Sequence, residues 1–272
     1  MTKQLTLMAV CPHPDDECTS AGGALALYAA EGVRTIVVTC TNGELGDGPG
    51  GVKPGEPGHD EQAVAATRLD ELAESCRILN VTHLETLGYR DSGMADDPRR
   101  HDAGSFASAD VEEAAQRLAT ILVEEAADVL TVYDSNGNYG HPDHIQVHHV
   151  GHRAAEIAGT PQVFEATMNH DYIVDLMREL GDQLPEGVER PDPEEMELGV
   201  PEAVITTQVD VAEFVDAKRA AMAAHASQIG ENSFFLQLPP QVFGRAFGYE
   251  WFIHKGAEPG IRESSLFGAF DD

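Results

Sequence analysis

The stretch LTLMAVCPHPDDE, residues Leu5–Glu17, indicates both the fold and the candidate site. Its first part, Leu5–Cys11, is a short apolar run of the length typical of a buried strand. The residues that follow, His13–Glu17, place one imidazole and three carboxylates within five positions. Carboxylates repel one another at this range, so the cluster predicts that a positive group, such as a bound cation, lies among them.

Downstream of this stretch, strand-like runs alternate with segments of helical period. The predicted strands are Leu5–Cys11, Thr35–Thr41, Thr82–Leu87, Asp128–Tyr133, Gln162–Thr167, Val204–Val209 and Tyr249–His254. The predicted helices are Glu17–Glu31, Asp60–Leu79, Asp110–Ala126, Pro142–Ala158, Tyr172–Leu180 and Val211–Ala224. This alternation predicts an α/β, Rossmann-like fold, in which helices cover both faces of a mostly parallel sheet.

The chain shows no internal repeat and no low-complexity linker that would divide it. We therefore expect a single α/β domain over residues 1–272, with a loop or lid at 182–202, where Pro and Glu are frequent. The segment Gly230–Gly248 matches no pattern that predicts its structure.

The charge of the chain is strongly negative: 47 Asp and Glu stand against 17 Lys and Arg, for a formal net charge of −30. Such a surface repels phosphates, so we expect no nucleic-acid partner. The N-terminus does not have the form of a secretory signal, and no apolar run reaches the roughly 18 residues that a membrane span needs. The four cysteines lack CxxC spacing, and we expect free thiols in a reduced, cytoplasmic enzyme.

Sites in doubly wound sheets form at the carboxyl ends of strands, where the strand order reverses. HPDDE follows the first predicted strand, and YDSNGNYGHPDHIQVHH follows the fourth. In a strand order of 3-2-1-4-5, strands one and four are neighbours, so the two clusters would face the same crevice. A catalytic zinc site takes three nitrogen or oxygen ligands and keeps one position for water. His13 and Asp16 can supply two ligands, and His141–His144 contains candidates for the third.

Each of these residues also has an ordinary structural explanation. Asp16 could be only a helix N-cap, and His144, His148 and His152 recur at a spacing typical of one helix face. The loop Gly43–Gly46 could form a pocket floor or a simple turn. A nucleotide-binding Rossmann protein would carry G-x-G-x-x-G after the first strand, which this chain lacks. A non-catalytic metal- or sugar-binding module is the alternative from another class.

Three motifs in combination resemble the PIG-L/LmbE-like zinc-dependent de-N-acetylase family: HPDDE, TNGELG after the second strand, and YGHPDHIQVHH. The match runs from the N-terminus to about His149. The segments YDSNGNYGHPDH, GYRDSGM and AMAAHASQ are most similar to the mycothiol-pathway branch. That branch contains a deacetylase acting on an N-acetylglucosaminyl-inositol and a mycothiol-conjugate amidase.

The resemblance implies a hydrolase that removes the acetyl group from an N-acetylglucosamine-type sugar conjugate by metal-activated water. The alternative that it leaves is an amidase that cleaves mycothiol-like thiol conjugates. The chain lacks the lysine expected after HPDDE in the conjugate amidases, which favours the deacetylase. The expected ligands of Zn²⁺, or of Fe²⁺, are His13, Asp16 and His144, with Asp15 as the general base.

The remaining roles also come from the resemblance. His141, as a protonated imidazole, would stabilise the oxyanion, and Tyr139 would orient or polarise the carbonyl. Asp143 would hold a histidine by a hydrogen bond. Three further residues match positions that line the sugar pocket: Arg68, Asp91 and Met94.

Overall fold

The computed structural model describes residues 3–180 and 198–270. Within these residues, seven strands form one sheet in the order β3-β2-β1-β4-β5-β7-β6. The strands are β1 (Thr6–Cys11), β2 (Arg34–Thr41), β3 (His83–Tyr89), β4 (Val129–Tyr133), β5 (Gln162–Thr167), β6 (Thr207–Asp210) and β7 (Tyr249–His254). The strands from β3 to β5 are parallel, and β7 pairs antiparallel with both β5 and β6. The predicted mostly parallel sheet and its 3-2-1-4-5 order are confirmed.

The helices are α1 (Asp16–Ser20), α2 (Gly22–Ala30), α3 (Glu61–Ile78), α4 (Val111–Glu124), α5 (Gly137–Gly140), α6 (Pro142–Ala158), α7 (His170–Leu180), α8 (Val215–Ala224), α9 (Phe234–Gln237) and α10 (Pro240–Phe247). They cover both faces of the sheet. Successive side chains of a strand point to opposite faces, so each strand contributes to two cores. In β1, Leu7 and Ala9 pack into a core formed with α2, α3, α8 and α10. Met8 and Val10 pack into a second core, formed with α4 and α6.

The segment predicted as one helix over Glu17–Glu31 is divided at Ala21, and this prediction was wrong. The carboxylate of Glu250 accepts hydrogen bonds from the backbone N–H groups of Gly23 (2.8 Å) and Ala24 (2.9 Å). These groups lie in the first turn of α2, where a helix has no acceptors of its own. A residue of β7 therefore fixes the start of α2, which no local pattern indicates.

The C-terminal third contains structure that the sequence did not predict. Helices α9 and α10 lie within Gly230–Gly248. Of the predicted lid at 182–202, residues 182–197 lie outside the described residues. At its end, the N–H of Gly199 donates to the carbonyl of Asn138 at 2.7 Å. The single domain over 1–272 stays a prediction.

Two expectations drawn from composition can be compared with the described residues. The four cysteines are buried and free, as predicted. Across residues 3–180 and 198–270, none of the helices combines the length and the apolar character that a membrane span requires.

Candidate metal centre

The two polar clusters meet at the carboxyl ends of β1 and β4. These strands pair in parallel, with Leu7 beside Val129, so both chains leave the sheet at the same edge. The segment after β1 carries the HPDDE motif into α1, and the segment after β4 carries HPDH into α6. Five side chains of the two motifs are buried together: His13, Asp16, His141, Asp143 and His144.

Among the three predicted ligands, Asp16 contacts both of the others. Asp16 Oδ2 lies 3.1 Å from His13 Nδ1 and 3.5 Å from His144 Nε2. Donor atoms bound tetrahedrally to a zinc ion at about 2.0–2.2 Å would lie roughly 3.3–3.6 Å from one another. His13, His141 and His144 also each offer a nitrogen within 4.8 Å of the others. The arrangement can therefore hold a divalent metal ion, with His141 as a possible fourth neighbour.

The two ring nitrogens of His13 face different carboxylates. Its Nε2 lies 3.1 Å from Asp143 Oδ2, a carboxylate that accepts the ring proton. The carboxylates of Asp91, Asp143 and Asp16 raise the pKa of His13 despite its burial, so Nδ1 offers the lone pair that a metal needs once a bound cation displaces its proton. Asp143 is fully buried and also accepts from Ser92, through the N–H at 2.9 Å and the hydroxyl at 2.5 Å. A carboxylate that fixes the tautomer of a histidine in this way is typical of metal sites.

His144 contacts both Asp16 and Tyr139. Its Nε2 lies 3.2 Å from the hydroxyl of Tyr139, a residue whose side chain is 41% exposed. Its Nδ1 is buried without a hydrogen-bond partner among the described residues. Burial lowers the pKa of His144 to about 4, so its imidazole is neutral at physiological pH and able to bind a cation.

Asp15 lies beside the ligands in an unusual backbone conformation. Its φ of 116° falls in the region that non-glycine residues avoid. Its Oδ2 accepts a hydrogen bond from Arg68 Nη2 at 3.0 Å. Burial raises the pKa of Asp15 to about 6, although the charge of Arg68 opposes this rise. A carboxyl group with this pKa can accept a proton near neutral pH and return it, as a general base requires.

Burial and the contacts of His141 favour its neutral form in this arrangement, and its role as a protonated imidazole stays a prediction. Burial, together with the charges of His13 and His144, lowers the pKa of His141 to about 3. The backbone N–H of Asp143 donates to His141 Nδ1 at 3.1 Å, so that nitrogen is an acceptor. A bound cation would disfavour protonation further. His141 can therefore donate a hydrogen bond only from Nε2, as the neutral ring.

The residues predicted to line the sugar pocket differ in their surroundings. Arg68 is 5% exposed, and its guanidinium donates to the carbonyls of Pro14 and Gly43, each at 2.7 Å, as well as to Asp15. Gly43 allows this approach, because a Cβ there would lie 2.5 Å from Arg68 Nη1. Asp91 is also buried, with Oδ1 3.5 Å from His13 Nε2. Met94 is 53% exposed at the rim. Their contact with substrate stays a prediction.

Sequence reasoning missed several residues that support the centre. Ser92, which holds Asp143, lies inside the quoted GYRDSGM motif. Glu44 accepts the N–H of Asp91 at 3.2 Å, so the Gly43–Gly46 loop is more than a simple turn. Glu17 and His225 contact each other beneath Asp15. These residues lie in motifs that the sequence shows, but their partners are distant in the chain.

The remaining histidines of the second motif have ordinary partners. His148 Nδ1 donates to the carbonyl of Tyr133 at 3.0 Å, and His152 Nε2 lies 2.7 Å from Glu165. Both contacts agree with the structural explanation of this helix face.

The family described as PIG-L, GlcNAc-PI de-N-acetylase, matches residues 8–155. The chain belongs to this family. A 1D-myo-inositol 2-acetamido-2-deoxy-alpha-D-glucopyranoside deacetylase from Streptomyces avermitilis is 35% identical, over 96% of this chain and 96% of the relative. The enzyme of the same name from Acidothermus cellulolyticus is 37% identical, over 98% of this chain and 95% of the relative. The predicted family, and with it an enzyme class of amide-cleaving deacetylases, is confirmed.

Solved structures agree on the fold. The N,N'-diacetylchitobiose deacetylase from Pyrococcus horikoshii has a TM-score of 0.58 and 20% identity, over 92% of this chain and 83% of that one. The 4-carboxy-2-hydroxymuconate hydratase from Pseudomonas putida has a TM-score of 0.56 and 18% identity, over 96% of this chain and 100% of that one. These two proteins are named for different reactions, so the fold alone does not decide the chemistry.

Proposed function

We propose that this protein is a zinc-dependent deacetylase that removes the acetyl group from an N-acetylglucosaminyl-inositol type of sugar conjugate. One observation carries the proposal. Asp16 contacts both His13 and His144, and Asp15, the candidate base, is the residue before it and is paired with Arg68. The substrate class is supported by the relatives, which match nearly the whole chain and are named for this deacetylation.

His13 Nδ1, Asp16 Oδ2 and His144 Nε2 would hold the ion. Two neutral imidazoles and one carboxylate suit zinc, and ferrous iron accepts the same donors. The chemistry that bound zinc supplies is a water of pKa near about 7 and a polarised amide carbonyl. We assign His141 outside the ligand set, because its Nδ1 already accepts from the N–H of Asp143.

Asp15 would remove the proton from the attacking water, with its carboxylate oriented by Arg68. Negative charge then develops on the carbonyl oxygen, where the neutral Nε2–H of His141 and the hydroxyl of Tyr139 would donate hydrogen bonds. The leaving amine needs a proton. Asp15 is the better source, because it can return the proton that it has just received, whereas burial lowers the pKa of His141 to about 3 and disfavours its protonated form.

The rival within the class is an amidase that cleaves a larger thiol conjugate. The chain continues from HPDDE into Cys18, Thr19 and Ser20, without the lysine expected of conjugate amidases. Deacetylation of the small sugar conjugate is therefore the function that we favour.

The test is metal analysis of the purified protein combined with an amine-release assay on N-acetylglucosaminyl-inositol and on a mycothiol conjugate. We expect one bound zinc per chain and faster release of acetate from the sugar than cleavage of the conjugate. Asp15→Ala should keep its zinc and lose turnover by about 100-fold or more. Turnover of neither substrate by the zinc-loaded wild type would favour a binding module instead, and preference for the conjugate would favour the amidase.

A further inference from the structure

The carboxylate of Glu17 is completely buried next to Asp15, and the proposed mechanism does not use it. Glu17 is 0% exposed, and its two oxygens accept from three donors. Oε2 accepts the backbone N–H of Asp15 at 2.9 Å. Oε1 accepts the hydroxyl of Ser75 at 2.5 Å and lies 2.7 Å from His225 Nε2. A buried charge of this kind is tolerated only when it is paired and hydrogen-bonded, as it is here.

The main chain of Asp15 is held at both of its polar groups. The N–H donates to Glu17, and the carbonyl accepts from Cys18 Sγ at 2.9 Å. The positive φ of 116° at Asp15 is strained for a residue other than glycine and persists only where surrounding contacts impose it. This conformation sets the direction in which the Asp15 carboxylate leaves the backbone.

His225 reaches Glu17 from a distant part of the chain, just after α8. Two neighbours fix its position. Ser227 donates its N–H and its hydroxyl to Glu71, at 2.7 Å and 2.6 Å. Gln228 exchanges two hydrogen bonds with the backbone of Asp47, at 2.9 Å and 3.0 Å. The AMAAHASQ motif thus holds the imidazole of His225 against Glu17, next to Asp15.

We propose that Glu17 and His225 are a positioning pair, which holds the main chain of Asp15 in its positive-φ conformation and so aims the general base at the metal centre. This inference rests on the proposed function, because it assigns the pair to the base of that reaction. Neither residue reaches the reacting atoms. Their contribution passes through the Asp15 N–H.

Glu17, Cys18 and His225 also lie close enough together to be considered as ligands of a second metal ion. Their hydrogen bonds argue against that role. Both oxygens of Glu17 already accept from donors, and the Cys18 thiol donates to Asp15. Zinc content above that of the single centre, lost on removal of the imidazole, would overturn the positioning role.

Two substitutions at His225 separate positioning from packing. His225→Leu removes the donor to Glu17, whereas His225→Gln places an amide N–H near the position of Nε2. A matched control is Lys218→Met in α8. Lys218 is 1% exposed and forms an equally buried ion pair with Glu250 at 2.6 Å, without contacting Asp15.

In the zinc-loaded protein, we expect His225→Leu to lower kcat by about 10- to 100-fold with KM and zinc content unchanged, because misplacing a reacting group commonly costs this much. His225→Gln should recover most of the loss. Lys218→Met should lower the melting temperature and leave kcat within about twofold. Wild-type kcat in His225→Leu, or an equal kcat loss in Lys218→Met, would overturn the inference.

A crystal structure of His225→Leu supplies a readout that does not depend on turnover. We expect Asp15 to leave the positive-φ region, and an unchanged φ would overturn the inference. If the wild type deacetylates nothing, the proposed function fails, and this structure still decides whether the pair holds the backbone of Asp15.

Discussion

Replacing Asp143 by alanine should weaken metal binding without removing any proposed ligand. Asp143 is fully buried and accepts three hydrogen bonds, one from His13 Nε2 and two from Ser92. Without this carboxylate, His13 loses the acceptor that fixes its tautomer. The ring would then populate the form protonated at Nδ1, which has no lone pair on that nitrogen for the metal.

The magnitude follows from these contacts. Loss of an outer acceptor typically lowers metal affinity by about 10- to 100-fold, or about 1.4–2.8 kcal/mol. The backbone N–H of Ser92 would also be buried without the carboxylate that accepts it, at about 1–3 kcal/mol of stability. Asp143→Asn keeps an oxygen for His13 and should lose less affinity than Asp143→Ala.

The assay is titration of metal-free protein with zinc against a competing chelator, alongside urea unfolding. The control is Asp128→Ala, which removes a buried carboxylate at the opposite end of β4. Asp128 accepts the N–H of Thr6 at 3.0 Å, so its loss should lower stability and leave zinc affinity unchanged. Zinc affinity of Asp143→Ala within twofold of the wild type would refute the argument.

Three further outcomes are expected. The base must be unprotonated, and a bound cation lowers the pKa of Asp15 below its metal-free value of about 6. A profile of kcat/KM against pH should therefore stay level down to about pH 6, and an acid limb centred above pH 7 would exclude Asp15 as the base. Arg68→Met removes the cation that lowers the pKa of Asp15. The same profile should therefore show the acid limb moved to higher pH. An unmoved limb would show that this contact does not act on the base. Gly151→Ala should lower the free energy of unfolding by about 1–3 kcal/mol, because the new Cβ would lie 2.2 Å from Val132 Cγ1. Urea unfolding measures this effect, and a stability equal to or above wild type would contradict the close packing of α6 on β4.

The sequence predicted features that depend on consecutive residues. Apolar runs located the strands, because strands buried on both faces have nearly continuous hydrophobic sequences. The α/β alternation favoured the doubly wound order 3-2-1-4-5, in which strands one and four are neighbours. That adjacency brings HPDDE and HPDH to one edge of the sheet. The ligand candidates His13, Asp16 and His144 could be named because each lies in a motif placed just after a strand.

Other features depend on the distance between residues far apart in the chain. Glu250 starts α2, which the helical period of Glu17–Glu31 could not indicate. The lowered pKa of His141 follows from its burial beside other histidines, which cannot be derived from residue type.

The sequence by itself determined the order of the strands along the chain and the two motifs that supply the candidate ligands, because local periodicity and residue type suffice for both. Only the tertiary structure decided how those ligands are held. Ser92 reaches Asp143, and His225 reaches Glu17 across 208 positions of the chain. Such contacts exist only after folding has brought the donor to its acceptor, so only the folded chain shows which side chains lie against Asp15 and the candidate ligands.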